Sequence, residues 1–399
     1  MRAAPIEPSP PPPSRARWLA RLVLLLTAGG LAAWITCCAL GAGARPGAVR
    51  FIPWQTWPPF GDLRIVLEAL DLARLGVDPL RSPEALYNYP GTWLLLRHLG
   101  LTAASTPWLG LLLDFSFLAC AVRIAWSAAP AAIMLSAAAL ATPPVMTALE
   151  RANTDLIIFV LLSVSAGLAG VTRRRQIADL GLALAASLKF YPALAFPALG
   201  ASSSRAWLMA GGLVAVGLTW QIPDIVTVLA KTPRSPTFSY GVLVPLLRLE
   251  KRGWVAPQSL AARGIAAVSL AGSASLAVAA FVQGRQAGRR AASGGNPPAL
   301  SLLGAGGLIF GATFFLTSNW AYRLIFLLWC IPLLPWQAAH PGLRRSARLA
   351  AGAMVVLLWS FGWPAGGGFV LSYGTALAIL ALLSYQAGHL ARFPRWLHP

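Results

Sequence analysis

A few polar side chains interrupt a strongly apolar chain, and Asp62 is the first whose position suggests chemistry. It follows Gly61 at the start of the segment "DLRIVLEALDLARLG" (62–76), where apolar residues recur at helical spacing. A carboxylate held at a membrane boundary suits a general base that takes the proton of a hydroxyl group. Asp is also a favoured helix N-cap, so a purely structural role for Asp62 is the alternative.

A second group of polar residues stands at the predicted ends of apolar runs. Its members lie in "RANTDLIIFVLL" (151–162) and "TSNWAYRLIF" (317–326): Asn153, Asp155, Asn319, Tyr322 and Arg323. Amides and carboxylates there suit the binding of hydroxyl groups or cations, and helix capping is the alternative for Asn153. Tyrosine also anchors helices at membrane interfaces, whereas an arginine at the start of a span favours a functional site.

Lys189 is the single charge in "LALAASLKFYPALAFPALG" (182–200). Its ammonium group, with Tyr191 two positions on, suits the phosphate of a lipid, and snorkelling to the interface is the alternative. Pro192 and Pro197 follow closely, and proline breaks helices. The sequence therefore predicts two short helices that meet in a hairpin near Lys189 rather than one span.

Asp114, in "LLLDFSFLAC", is a carboxylate well inside a predicted span. It could pair with Arg123 or hold a proton, as a proton-coupled transporter requires. The sequence has no P-loop, zinc-ligand spacing or nucleophile elbow, and its four cysteines lie in apolar runs without pairing spacing. No metal site or cofactor is predicted, although Asp62 and Asp155 could share an ion.

The composition predicts an integral membrane protein. The 399 residues are 57% hydrophobic and 11% charged, with a mean hydropathy of +0.65. The net charge of +20 lies largely between apolar runs, as in "TRRRQ" (172–176) and "GLRRSAR" (342–348). Such placement sets topology beside anionic lipid and argues against nucleic-acid binding.

The predicted fold class is an all-α polytopic bundle of about eleven or twelve transmembrane helices, because apolar runs long enough to cross a bilayer recur along the chain. The candidate spans are 18–40, 105–126, 130–149, 154–171, 177–200, 206–229, 258–281, 299–317, 321–336, 347–363 and 367–390. If 177–200 is a hairpin, the count becomes twelve and the polar residues above collect on one side of the membrane.

The predicted organisation is a proline-rich, disordered cytoplasmic tail (1–17) and a single transmembrane domain (18–395). Segment 45–104 is the predicted first extracytoplasmic loop, and it carries an amphipathic helix at the membrane surface. Positive charge near the start places the N-terminus in the cytoplasm. The basic segment 231–253 is then outside, with no assigned role beyond contact with phosphates.

The order of these motifs resembles glycosyltransferase family 87, enzymes of the C-type membrane fold that use polyprenyl-phosphate sugars. The segment 151–207 carries most of the resemblance, together with "GDLRIVLEALDLARLGVDPL" and "YNYPGTWLLL" within 61–96, and "TSNWAYRLIFLLWCIPLL" (317–334). Where that family often has Gly-Asn, this chain has Ala152 before Asn153. The resemblance implies a catalytic Asp62, with Lys189 and Tyr191 near the lipid phosphate of the donor.

We therefore expect an inverting hexosyltransferase, which transfers a hexose such as mannose on the outer face of a bacterial cytoplasmic membrane. Asp62 is the general base, Arg64, Lys189, Tyr191 and Arg323 bind the donor phosphate, and Tyr89, Asn153, Asp155, Asn319 and Tyr322 line the acceptor cavity. Its partners are membrane lipids, the lipid-linked sugar and a lipid or glycan acceptor. The alternatives are a flippase for lipid-linked sugars, a secondary transporter that uses Asp114 and Lys189, and a scaffold for envelope synthesis without chemistry.

Overall fold

The structure is a computed structural model. It describes residues 14–40, 59–169, 175–195, 221–233, 239–290, 300–316, 319–334, 343–361 and 367–390, together with isolated positions between them. Within these ranges the regular secondary structure is helical apart from one two-stranded antiparallel sheet, in which Ser239–Tyr240 (β1) pairs with Asn319–Trp320 (β2). Residues 1–13 of the predicted cytoplasmic tail and most of 196–220 lie outside the described residues. Residues 15–17 of that tail belong to a helix and are not disordered.

The α-helices are α1 Arg15–Ala39, α2 Gly61–Arg74, α3 Thr106–Ala125, α4 Pro130–Leu140, α5 Pro143–Glu150, α6 Thr154–Ala169, α7 Arg175–Leu188, α8 Ile222–Lys231, α9 Val244–Lys251, α10 Leu260–Arg290, α11 Leu300–Phe315, α12 Arg344–Ser360 and α13 Gly367–Leu390. The 3₁₀ segments are Gly91–Leu99, Ala103–Ser105, Tyr191–Ala195, Ala321–Trp329 and Ile331–Leu333. Helices α10 and α12 pack against α13, and α6 packs against α7.

Three helices within the described ranges are long and apolar enough to cross a membrane: α1, α3 with its preceding 3₁₀ turn, and α10. Helices α4 and α5 make a fourth candidate span if they are taken together, although the chain bends by 54° between them. Helices α6, α7, α11 and α13 are apolar but shorter. The all-helical membrane class therefore fits the structure, whereas the described residues do not show eleven or twelve spans.

The predicted span at 321–336 is not an α-helix. Its residues form 3₁₀ helices that pack against α11 and α5, and the run from Leu324 to Trp329 is buried inside the protein. Pro332 lies in the second of these segments. The apolar character of this run therefore reflects a place in the protein core, which hydropathy alone does not distinguish from contact with lipid.

The predicted helix break near Lys189 is present. Helix α7 ends at Leu188, and the chain continues through Lys189 into the 3₁₀ segment Tyr191–Ala195. The indole N–H of Trp93 donates a hydrogen bond of 2.9 Å to the Leu188 carbonyl, which no longer has a helical partner. This 3₁₀ segment is the start of the second arm of the predicted hairpin, and most of the arm beyond Ala195 lies outside the described residues.

Helix α2 confirms the predicted amphipathic helix in the loop before α3. Its apolar side chains Leu63, Val66, Leu67 and Leu70 are buried in the main hydrophobic core. The apolar face of α2 is therefore covered by the protein itself, and no lipid surface is needed to explain its helical pattern of apolar residues. Its position relative to a membrane surface stays a prediction.

Candidate functional site

The site is built on the tight turn that joins α5 to α6. Ala152 has a φ of 40°, in the left-handed region. The Ala152 N–H donates to the Leu149 carbonyl at 2.9 Å, and the Asn153 N–H donates to the Ala148 carbonyl at 2.9 Å. This is the Schellman pattern of a helix C-terminus, with alanine where glycine is usual. The turn places the side chains of Arg151 and Asn153 on either side of the left-handed residue.

The N-terminus of α2 docks on this turn through its backbone. The Phe60 N–H donates to the Glu150 carbonyl at 2.7 Å, and the Asp62 N–H donates to the Arg151 carbonyl at 3.1 Å. The first N–H groups of a helix have no partner within it, so these bonds satisfy them. Phe60, with a φ of 62°, occupies the N-cap position. The alternative role of Asp62 as N-cap is therefore wrong, and its side chain is available for other contacts.

The Asp62 carboxylate is held by both side chains of the turn. The Arg151 guanidinium pairs with Oδ1 through Nη2 and through Nε, the latter at 2.9 Å, and the Asn153 amide donates to Oδ2. Burial alone would lower the pKa of Arg151, but the neighbouring Asp62 outweighs this effect and raises that pKa above its ordinary value.

Asn153 connects Asp62 to a second, deeper carboxylate. Its Oδ1 accepts the backbone N–H of Asp155 at 2.8 Å, which is the geometry of an N-cap for α6. Its Nδ2 donates to Asp62 at the same time. Asn153 is thus a helix cap, as one of the two sequence-based alternatives has it, and it also holds the Asp62 carboxylate; the binding of hydroxyl groups or cations by Asn153 stays a prediction.

Asp155 is fully buried, accepts hydrogen bonds from two side chains on Oδ1, and has a third, cationic side chain at ion-pair distance from Oδ2. The Lys189 ammonium pairs with Oδ1, the Tyr191 hydroxyl donates to the same oxygen at 2.7 Å, and Arg323 Nε lies 3.6 Å from Oδ2. This arrangement explains the buried lysine, because an opposite charge compensates the loss of hydration. Snorkelling is wrong as an account of Lys189, whose side chain is only 9% exposed.

The groups around Asp62 form an upper layer of the site and those around Asp155 a deeper layer. Together the two layers carry more positive than negative charge. Three cations, Arg151, Lys189 and Arg323, face two carboxylates, Asp62 and Asp155. The Arg323 side chain, 20% exposed, is more accessible than that of Lys189. Buried cations are stable when they are paired, so a surplus of one positive charge favours an anion as ligand.

Aromatic rings complete the deeper layer. The Lys189 ammonium lies 5.6 Å from the centre of the Tyr89 ring, and the Arg323 guanidinium lies 5.1 Å from that of Tyr191. Burial raises the pKa of Tyr89 well above its ordinary value, and the Asp62 carboxylate raises it further. Tyr89 therefore keeps its phenolic proton and can act as a hydrogen-bond donor.

A cleft of about 350 Å³ opens directly above Asp62. Its lining residues are Asp62, Ile65, Pro83, Ala85, Leu86, Asn88, Tyr89, Arg151, Lys231, Pro233, Trp320 and Tyr322. Trp320 and Tyr322 are stacked with an angle of 6° between their rings. The cleft thus combines a carboxylate, an arginine and aromatic surface. Its lining does not include five of the predicted site residues, which are Asn153, Asp155, Lys189, Tyr191 and Arg323.

Three further residues that the sequence analysis selected do not line the cleft and have other surroundings. Arg64 pairs with Glu68 at 2.7 Å on the exposed side of α2, so it is not in the cleft. Asn319 donates to the Thr313 carbonyl near the end of α11, a capping role rather than a place in the cavity wall. The carboxylate of Asp114 is fully buried and makes no hydrogen bond or ion pair within the described part of the chain. The proposed pairing with Arg123 is therefore not observed.

The sequence-based selection missed Arg151, Asn88, Lys231 and Trp320. Arg151 stands directly before Ala152 in the motif that was singled out, and a charge at the end of an apolar run was the available signal. Trp320 lies next to Asn319 in the second motif, but tryptophan is also common as an anchor at membrane interfaces. Asn88 and Lys231 carry no such signal, because the fold brings a loop residue and the last residue of α8 to the cleft from distant parts of the chain.

Among the residues that the structure describes, no group of three or more His, Cys, Asp and Glu side chains is arranged to hold a metal ion. Asp62 and Asp155 each face cationic side chains instead of one another. The chain matches no protein-family model, no curated protein and no solved structure.

Proposed function

We propose that this protein is an integral-membrane glycosyltransferase, which transfers a hexose such as mannose from a polyprenyl phosphate to a lipid or glycan acceptor. The observation that carries the proposal is the Asp62 carboxylate, oriented by Arg151 and Asn153 at the floor of a cleft and next to a surplus of buried positive charge.

The geometry of Asp62 suits a general base. An ionised carboxylate has about four acceptor positions. Two on Oδ1 are taken by Arg151 and one on Oδ2 by Asn153. The remaining position on Oδ2 can accept the hydroxyl of a molecule in the cleft. Because Asp62 is fixed by both neighbours, little reorganisation is needed before the proton moves.

The surplus positive charge suits a lipid phosphate as leaving group. As the bond from the anomeric carbon to the phosphate oxygen breaks, its electron pair stays on the phosphate. Fixed cations stabilise that charge strongly in a site without bulk water. We assign Arg323 to the phosphate, because its Nε makes no hydrogen bond within the described residues and its side chain is 20% exposed, whereas Lys189 is hydrogen-bonded to Asp155 and less exposed.

The reaction needs no general acid, because the leaving phosphate does not have to be protonated. The acceptor hydroxyl gives its proton to Asp62, its oxygen forms the new bond to the anomeric carbon, and phosphate leaves from the opposite face with inversion. The proton on Asp62 passes to solvent when the cleft empties.

The proposal includes a polytopic bundle of about eleven or twelve spans of the C-type glycosyltransferase kind, with a hairpin at Lys189 and the cleft on the outer face of a bacterial cytoplasmic membrane. The long apolar helices α1, α3 and α10 support a membrane location. Cysteine labelling at Arg205 tests the hairpin, which requires that this position react only from the cytoplasmic side.

The catalytic test uses full-length protein in membranes supplied with radiolabelled polyprenyl-phosphate-mannose. Asp62→Asn is expected to lower transfer by roughly 10²–10⁴-fold, the usual contribution of a general base. Glu68→Gln, six residues further along α2 and exposed, is the matched control and is expected to keep activity. Unchanged transfer by Asp62→Asn would remove Asp62 from the mechanism.

A proton-coupled transporter or flippase is the second candidate, because Asp114 is a fully buried carboxylate without a hydrogen-bond partner in the described part of the chain. Such groups mark proton pathways in membrane proteins. Substrate uptake into proteoliposomes that depends on a pH gradient and is lost in Asp114→Asn would support it, in the absence of any glycosyl transfer.

A further inference from the structure

Helix α8 turns an aliphatic face outward, and its inner face carries two charged side chains on either side of the buried Val228. Ile222, Val226 and Leu229, which share one face, are 56%, 67% and 57% exposed. Asp224 and Lys231 point inward and bind other parts of the protein. A helix at a water-exposed protein surface has the opposite arrangement. The outward face has the same character as α10, a candidate span with Val268 and Val278 exposed.

The inward side chains of α8 hold one wall of the cleft at both ends. We call residues 79–91 the cleft wall; Pro83, Leu86, Asn88 and Tyr89 within it line the cleft. At one end, the Lys231 ammonium donates to the Ser82 carbonyl at 2.7 Å and to the Pro79 carbonyl at 3.3 Å. At the other end, Asp224 accepts the Gly91 N–H at 2.9 Å.

Gly91 brings the backbone of the cleft wall close to Asp224. A Cβ atom at this position would lie 2.7 Å from the Asp224 carboxylate oxygen, so a larger residue would require that side chain to shift. The two attachments lie seven residues apart along α8, a separation of about 10 Å in an α-helix. They therefore fix both the position and the tilt of the cleft wall relative to α8.

We propose that α8 is a lipid-contacting strap: its outward face lies against the acyl chains of the bilayer, and Asp224 and Lys231 are positioning residues that set the cleft wall. Acyl chains are the occupant that the face fits, since its exposed side chains are uncharged and aliphatic. The strap links the position of the bilayer to the width of the cleft. Its consequence for acceptor binding rests on the proposed function, whereas the position of the wall does not.

The wall is tested by distance measurement in full-length protein, with the four native cysteines replaced, in nanodiscs of phosphatidylethanolamine and phosphatidylglycerol. Nitroxide labels at Leu86→Cys on the wall and Glu68→Cys on α2 report the distance across the cleft. We expect one narrow distance peak, which is lost in Lys231→Met and Asp224→Leu. Lys231→Arg, which keeps donors, Asp224→Asn, which keeps an acceptor for the Gly91 N–H, and Lys251→Met, an exposed control, retain it. An unchanged peak in Lys231→Met and Asp224→Leu overturns the strap.

The lipid contact is tested by a nitroxide at Val226→Cys in the same nanodiscs. Relaxation by dissolved oxygen and protection from an aqueous nickel chelate are expected, with the reverse at Arg81→Cys, whose side chain is 84% exposed next to Asp78. Access of the chelate to position 226, or protection from both reagents by a protein partner, overturns the lipid assignment. Neither measurement needs a substrate, so a failure of glycosyl transfer leaves both tests decisive.

If transfer occurs, Lys231→Met is expected to raise the acceptor KM and leave the KM of the lipid-linked donor near that of the native protein. A purely structural role would instead reduce the amount of active enzyme and leave both KM values unchanged, which contradicts the strap.

Discussion

The ammonium group of Lys189 pairs with the carboxylate of Asp155, 34 positions earlier in the chain. The pair joins the end of α7 to the first turn of α6, and Tyr191 and Arg323 complete it. A charge that looks out of place in an apolar run is thus one member of a buried network. Both cations of this network contribute to the positive surplus on which the proposed function rests.

Loss of Lys189 is expected to destabilise the protein strongly. Lys189→Met keeps the length of the side chain but leaves the buried Asp155 with one cation fewer, and breaking a buried pair costs about 3–5 kcal/mol. The free energy of unfolding, measured by denaturant titration in detergent micelles, checks this. Lys251→Met, at an exposed site, is expected to stay within about 0.5 kcal/mol. The double variant Lys189→Met with Asp155→Asn should recover part of the lost free energy of unfolding. No recovery would mean that the two residues act separately.

The two roles of Asn153 can be separated by substitution. Asn153→Ser keeps an oxygen that caps α6 but loses the donor to Asp62, whereas Asn153→Ala loses both. We expect the alanine variant to be less stable than the serine variant by about 1 kcal/mol, the usual value of an N-cap. Thermal unfolding in detergent measures the difference. Both variants are expected to lower glycosyl transfer; equal stability would show that the cap contributes nothing.

The left-handed turn at Ala152 predicts a stabilising substitution. An L-residue in this conformation costs about 1–2 kcal/mol, and glycine removes that strain at some cost in unfolded-chain entropy. Ala152→Gly is therefore expected to raise stability by up to about 1 kcal/mol. Ala166→Gly, inside α6, is the matched control and is expected to lower stability by about 1 kcal/mol. The same loss at both positions would contradict the strained turn.

The hydrogen bond from Trp93 to Leu188 is expected to hold the broken end of α7. Trp93→Phe keeps most of the ring but leaves the Leu188 carbonyl without this donor, at a cost of about 1–3 kcal/mol. Trp254→Phe, at a position that is 69% exposed, serves as the comparison and should change stability little. Hydrogen exchange at the backbone amides of 188–191 should rise in Trp93→Phe alone; unchanged exchange would assign the break to another cause.

The sequence predicted which polar residues come together more reliably than it predicted the number of membrane-spanning helices. Asp62, Asn153, Asp155, Lys189, Tyr191 and Arg323 converge, because charged and amide groups in an apolar chain need partners and find one another. Arg64 and Asn319 were wrong for the cavity, since an exposed helical ion pair or a helix end satisfies the same side chains equally well. The run at 321–336 was wrong as a span because core and lipid select the same apolar residues.

The sequence by itself determined that this chain is helical and apolar enough for a membrane, and that the helix after residue 175 breaks near Lys189, since hydropathy, charge and proline act through neighbouring positions. Only the tertiary structure decided which carboxylate faces which cation. Arg151 could have met Asp155, and Lys189 could have met Asp62; the Schellman turn at Ala152 and the docking of α2 upon it choose the other pairing. That choice depends on how the backbones of segments far apart in the chain pack together, and a local sequence pattern does not predict such packing.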